Sequence, residues 1–187
     1  MSEKPATALI LVDVTNSFFL EGMPNNYPAA AEVLDPLRQL LARAREAGRI
    51  VVHAVERHYP GFDDYEWRKL PRHHFLGDRD QQIFAGFEPS GEREVLIGKR
   101  RYSAFFATDL ALFLHEQKIE RVVLAGVKTN VCIRATAQDA FANGFDVVVA
   151  REATNSNRPH LAAASLEDID CYIGSVVALE EALEMLA

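Results

Sequence analysis

Three residues far apart in the chain have the types that acyl-transfer chemistry needs: a carboxylate at Asp13, an ammonium at Lys99 and a thiol at Cys132. Asp13 directly follows ALILV, Lys99 directly follows EVLIG, and Cys132 comes shortly after RVVLAGV. A thiol is a strong nucleophile only as the thiolate. The stretch NVCIRATAQDAFANG (130–144) has the apolar spacing of a helix, which puts Cys132 at the helix N-terminus, where aligned peptide dipoles and free N–H groups lower a thiol pKa. Those N–H groups also suit an oxyanion hole, with the backbone amides of Lys128 and Cys132 as donors. Asp13 is the candidate proton acceptor, and Lys99 a cation that favours the charged forms of both neighbours. Singly, each residue has a plain structural explanation: a turn cap, a snorkelling side chain, a small buried apolar group. Three of them ending apolar runs together point to a site.

The elements that must position them are legible as an alternation. Short, β-branched, nearly continuous apolar runs occur at 7–13, 49–56, 93–99, 121–127 and 146–152, as expected of strands covered on both faces. Between them, 29–48, 107–119 and 130–144 have helical spacing, and Gly48 and Gly144 fall where a left-handed residue ends a helix. A further helix is predicted from about Pro159, then one short strand and a closing helix in SVVALEEALEMLA. This pattern predicts an α/β fold with a parallel sheet, right-handed crossovers and ligands gathered beyond the carboxyl ends of the strands. The stretch 57–79, with three histidines, Trp67 and two prolines, reads as a long loop over the site.

The 187 residues suffice for one substantial core, so a single domain over 1–187 is expected. Hydrophobic residues at 49% and charged residues at 25% match an ordinary globular chain. A net charge of −7 disfavours nucleic acid and anionic membrane surfaces as partners. The N-terminal MSEKPATALILVDV is too short and too polar for a signal peptide or a membrane span, and a cytoplasmic location is expected. Two cysteines in different elements are expected to be free thiols, with Cys171 structural.

LILVDVTNSF, IGKRRYSAFFATDL and LAGVKTNVCIRATAQDAFANGFDVVV resemble, in order and spacing, the three signature segments of the isochorismatase-like cysteine hydrolase superfamily. The resemblance implies a three-layer α/β/α domain with a mostly parallel, six-stranded Rossmann-like sheet. It also implies a catalytic triad of Asp13, Lys99 and Cys132, and a non-proline cis peptide at Val127-Lys128 that turns two amides toward the substrate. The implied mechanism is acyl transfer to sulfur on a small amide or ureido substrate. Cleavage of a vinyl ether, the isochorismatase reaction, needs no nucleophilic thiol, so Cys132 favours C–N hydrolysis.

Within that superfamily two substrate readings compete. Nicotinamidases bind a metal with an Asp-x-His and a later His, and the matching residues are Glu56, His58 and His73, a set able to hold zinc. Glu56 stands in place of their Asp, and Leu70 in place of a Trp before Pro-Arg-His. KRRYSAF lacks their spacer and looks more like the carbamoyl and ureido hydrolases. The expectation is therefore hydrolysis without a cofactor, the loop histidines serving hydrogen bonds; a zinc-assisted nicotinamidase-type enzyme is the alternative. A non-catalytic small-molecule-binding member of the fold is a second alternative. Phe18, Trp67 and Tyr102 are candidates to wall the pocket, Phe105 being equally a core residue. Arg57 and Arg101 are candidates for a substrate carboxylate. The resemblance further implies a homo-oligomer, a dimer or a tetramer.

Overall fold

The computed structural model describes residues 5–187; the first four, part of the N-terminal segment weighed above as a leader, lie outside the described residues. Six strands, β1 (Thr7–Val12), β2 (Ile50–Glu56), β3 (Glu94–Lys99), β4 (Arg121–Val127), β5 (Asp146–Asn155) and β6 (Ser175–Val177), form one sheet in the order β3-β2-β1-β4-β5-β6. Every pairing is parallel. All residues of β1 and β2 are buried, which is why those runs are apolar without alternation.

The helices are α1 (Asn16–Phe19), α2 (Leu34–Glu46), α3 (Leu110–Glu116), α4 (Arg134–Ala142), α5 (Pro159–Tyr172) and α6 (Leu179–Met185). Strand side chains alternate between two cores. Leu9, Leu11 and Val123 pack with Leu37 and Leu40 of α2 and Ala182 of α6. Ala8, Ile10 and Leu124 pack with Leu114 of α3, Ala137 of α4 and Ile169 of α5. Each buried Leu, Ile or Val among them contributes about 1.5–3 kcal/mol, so the three α/β/α layers follow from the two-sided apolar strands.

Several boundaries differ from the sequence reading, each for a local reason. The first long helix begins at Leu34, after a 3-10 turn over Pro28–Val33, because Pro36 has no N–H to give and is tolerated only in a first turn. The 107–119 segment is helical over Leu110–Glu116 alone. The 130–144 segment opens with a π-type turn, Thr129–Ile133, ahead of α4. β5 runs on to Asn155, with a register shift opposite Leu124 and Gly126 that its polar second half conceals. The 57–79 loop holds a 3-10 turn, Tyr65–Arg68, and a single bridge between His58 and Phe75.

Gly48 and Gly144 end α2 and α4 as expected, with φ of 62° and 85°. After α2, Gly48 N–H donates to Arg45 and Arg49 N–H to Ala44, the paired bonds of a Schellman motif. Gly126 matters more for the site. Its φ is 123°, and a Cβ there would lie 2.1 Å from the Val12 carbonyl oxygen, so only glycine lets β4 approach β1 where both strands end. Gly126→Ala is therefore expected to destabilise the fold by about 2 kcal/mol or more. Urea denaturation checks this, and an unchanged midpoint would contradict it.

Candidate active site

The parallel register sets three polar residues at neighbouring strand ends. Asp13 follows β1 with a φ of 53°, held by its N–H to the Ala54 carbonyl (2.8 Å) while its Oδ1 accepts the Glu56 N–H (2.8 Å). Lys99 is the last residue of β3, paired in register with Glu56 at the end of β2. Its Nζ lies 2.7 Å from Asp13 Oδ2 and 3.7 Å from Cys132 Sγ. Asp13 and Lys99 are fully buried and Cys132 is 4% exposed. Asp13 Oδ2 meets Lys99 as an ion pair without a directed hydrogen bond.

Burial governs the electrostatics. It pushes the Asp13 carboxyl above its usual range against the pull of Lys99. It pushes the Cys132 thiol well above its usual value; Lys99 opposes this, while Asp13 and Glu56 add to it. The sequence had suggested the reverse for the thiol, a depression by a helix N-terminus. Desolvation outweighs that dipole, because Cys132 is buried in the π-type turn and faces two carboxylates. For Lys99, burial alone favours loss of the proton, but Asp13, Cys132 and Glu56 together raise its pKa, so it stays charged.

The Val127-Lys128 peptide is cis. The Lys128 carbonyl accepts the Val131 and Ile133 N–H groups at 3.1 and 3.2 Å, which ties off the turn carrying Cys132. The Lys128 N–H itself has no backbone acceptor among the described residues and is free for a ligand.

A cavity of about 130 Å³ opens onto Cys132. Phe18 and Tyr102 line it, as do Asn25 and the side chain of Lys128, with Glu56 and His73 on its wall. Trp67 does not line it. Its ring packs on Phe75 and His58, at centroid distances of 5.4 and 5.7 Å, with the Arg72 guanidinium over it. Phe105 is a core residue stacked near Phe145. Neither Arg57 nor Arg101 reaches the cavity: Arg57 crosses Gly98, and Arg101 is bound to Asp64 at 3.0 Å. The charge that does line the cavity, Lys128, was assigned from sequence through its backbone alone, and Asn25 sits in an irregular stretch with no periodic signal.

Glu56, His58 and His73 come together, and Glu66 joins them, all four buried with ligating atoms within 4.8 Å of one another. Glu56 Oε1 is 3.3 Å from His58 Nε2 and 3.5 Å from His73 Nε2. His73 Nδ1 donates to the Pro71 carbonyl at 2.6 Å, and His58 Nδ1 pairs with Asp64 at 2.9 Å. A carbonyl only accepts, so His73 Nδ1 carries the proton, and Nε2 presents either a lone pair or a second proton to Glu56. Such outward Nδ1 bonds are the pattern that orients metal-binding histidines. Both oxygens of Glu66 are buried without a hydrogen-bond partner among the described residues, His58 Nε2 lying 3.8 Å from one and the Arg101 guanidinium 4.0 Å from the other, and burial with the nearby Glu56 charge pushes its carboxyl up to about 7. The pocket therefore calls for positive charge, as protons or as a cation, and its donor set fits a divalent metal. Glu66 was missed in the sequence because EWRK looks like an ordinary polar loop; the Tyr65–Arg68 turn folds it back inside.

Residues 7–181 match the family model described as the isochorismatase domain. A maleamate amidohydrolase of Pseudomonas putida is 36% identical over 183 residues, 96% of this chain and 86% of that protein. The crystal structure of a nicotinamidase/pyrazinamidase from Bacillus subtilis superposes with a TM-score of 0.85 at 33% identity, covering 92% of this chain and 98% of that one. A Pyrococcus horikoshii pyrazinamidase, solved in complex with zinc, does so with a TM-score of 0.84 at 27% identity, covering 93% and 99%. With the family model spanning nearly its whole length and the strand-end geometry in agreement, this chain belongs to the isochorismatase family of hydrolases.

Proposed function

We propose that the protein hydrolyses an amide or ureido/carbamoyl C–N bond of a small molecule through a thioester on Cys132, releasing ammonia or an amine. The observation that carries this reading is the convergence of Asp13, Lys99 and Cys132, buried and in contact, beneath a cavity whose wall offers the free Lys128 N–H. Similarity to a maleamate amidohydrolase supports it. Isochorismatase family members share a fold more widely than a substrate, so the site must decide the chemistry.

The raised pKa values of Asp13 and Cys132 fit a concerted start. The resting thiol keeps its proton, and Asp13 is a stronger base than an exposed aspartate. Asp13 takes the thiol proton as sulfur attacks the carbonyl carbon, and the Lys128 and Cys132 amides receive the oxyanion. The C–N bond breaks, Asp13 returns its proton to the leaving nitrogen, and the acyl group remains on sulfur. Water, deprotonated by Asp13, cleaves the thioester and restores the thiol. Lys99 stays an ammonium throughout and holds the carboxylate against the sulfur.

A second reading, zinc-assisted hydrolysis of the nicotinamidase type, is favoured by the buried oxygens of Glu66, which have no hydrogen bond, and the inward Nε2 atoms of His58 and His73. Glu56, His58, Glu66 and His73 would hold the ion, and a bound zinc would supply a Lewis acid to polarise water or the substrate. No helix among the described residues is long and apolar enough to cross a membrane. The reading extends to a cytoplasmic homo-oligomer; exposed Tyr59, Phe62 and Tyr65 on the 57–79 loop support contact with a neighbouring copy.

Cys132→Ala and Asp13→Asn are each expected to cut ammonia release from a panel of nicotinamide, maleamate, N-carbamoyl amino acids and biuret by about a thousandfold or more, with unchanged circular dichroism. Residual turnover near wild type in either would refute a thioester route, and binding without turnover in the wild type would favour the non-catalytic alternative. Lys99→Met leaves Asp13 unpaired in the interior, so the fold should lose about 3–5 kcal/mol in urea denaturation. A neutral outcome there would mean that Lys99 does not hold the carboxylate. For the zinc reading, calorimetry on chelator-treated protein should show one zinc bound per chain, weakened at least about tenfold in Glu66→Gln. Protein that takes up no zinc would dismiss the metal and leave the thiol chemistry standing.

A further inference from the structure

The side chain of Lys128 is a half-buried cation with no anion to meet. Its Nζ sits over the faces of Phe18 (5.7 Å to the centroid) and Tyr27 (5.4 Å), which hold an ammonium without neutralising it. Among the described residues it makes no salt bridge or side-chain hydrogen bond; of the charged groups that act on it, Glu56 raises its pKa and Arg158 lowers it. Glu56, on the cavity wall, is already shared by Lys99, His58 and His73. Arg158, exposed at the start of α5, adds a second positive charge on the Lys128 side. Burial lowers the Lys128 pKa, a loss that an incoming anion would reverse. Across from this cation, Asn25 Nδ2 donates to Ser17 Oγ at 3.0 Å, which leaves its second N–H and its oxygen for a ligand.

We propose that the Lys128 ammonium anchors a carboxylate of the substrate, so that the enzyme acts on short acids bearing a terminal amide or ureido group. This rests on the hydrolase reading above and adds to it the class of substrate. Lys128 acts twice in this arrangement. Its N–H meets the carbonyl that Cys132 attacks, and its Nζ meets the carboxylate. The two nitrogens of one lysine are at most roughly 7 Å apart along six bonds, which limits how far the carboxylate can stand from the scissile carbonyl. A separation of two or three atoms fits, as in half-amides of four-carbon dicarboxylic acids or in N-carbamoylglycine. The cavity of about 130 Å³ agrees, being far below the ~300–1,000 Å³ of sites for drug-sized ligands.

The test compares kcat/KM for succinamate, maleamate and N-carbamoylglycine with that for their methyl esters, which keep the shape and lose the charge. The wild type should prefer the acids by about tenfold to a hundredfold, as expected of a charge-assisted contact. In Lys128→Met the ratio should fall to within about threefold of unity, and Lys128→Arg should keep most of it. Because the backbone N–H survives both substitutions, the ratio separates the anchor from the oxyanion hole. Succinate binding, followed as a rise in melting temperature, gives a readout without turnover and should weaken at least about tenfold in Lys128→Met. Esters used as well as acids, or Lys128→Met slowing both alike, would overturn the anchor and leave the hydrolase reading intact. Lys128-dependent succinate binding with no turnover of any amide would keep the anchor and overturn the hydrolase. Absence of both would overturn both.

Discussion

Lys99 carries a full positive charge where no water reaches it, and that constraint organises the carboxyl end of the sheet. Burying an ammonium costs several kcal/mol unless anions meet it. Asp13 does so at 2.7 Å, Glu56 adds its charge, and the thiol of Cys132 lies at 3.7 Å. These partners stand at the ends of β1 and β2 and on the turn after β4, while Lys99 itself ends β3, so the charge is tolerated only if those strands stop in register. The close approach of β4 to β1 at Gly126 belongs to the same requirement. Stability and chemistry thus depend on one contact set: what keeps Lys99 charged also keeps a basic carboxylate against the sulfur.

Glu56 joins this set to a second one. It faces Lys99 on one side and His58, His73 and the buried Glu66 on the other. Any change in the charge held by that cluster, by protons or by a metal, is felt by Asp13 and Cys132 through the same carboxylate. The cavity between the two sets is small, apolar on the Phe18 and Tyr102 walls, and bounded by Lys128, whose charge has no salt-bridge partner among the described residues. A ligand entering it meets the Cys132 sulfur, a free N–H and a cation within one lysine's reach.

Much of this was legible because parallel strands buried on both faces must be apolar throughout, so a charged residue ending such a run stands out. Asp13, Lys99 and Cys132 were found that way, as were Gly48 and Gly144 from the helix ends. Other features leave no such trace. Glu66 looks solvated in sequence and is turned inward by four residues of 3-10 helix. Trp67 and Arg101 have the right chemistry for a pocket but find other partners nearby, in Phe75 and Asp64, and Arg57 lies across Gly98 instead. The direction of the thiol pKa shift depends on burial, which a local motif does not carry; the dipole argument named a real effect and missed the larger one. The second half of β5 was invisible because its residues are polar and its register slips against β4.

The central claim is that a sulfur held by a buried ammonium and served by a carboxylate base takes up an acyl group. Acid quenching of the protein during turnover of an amide that releases ammonia, followed by peptide mass spectrometry, tests it most directly. The account predicts a mass increase equal to the substrate's acyl portion on the peptide containing Cys132, absent in its unreacted state. Turnover with no adduct there, or with the added mass on the peptide of Cys171, would contradict it.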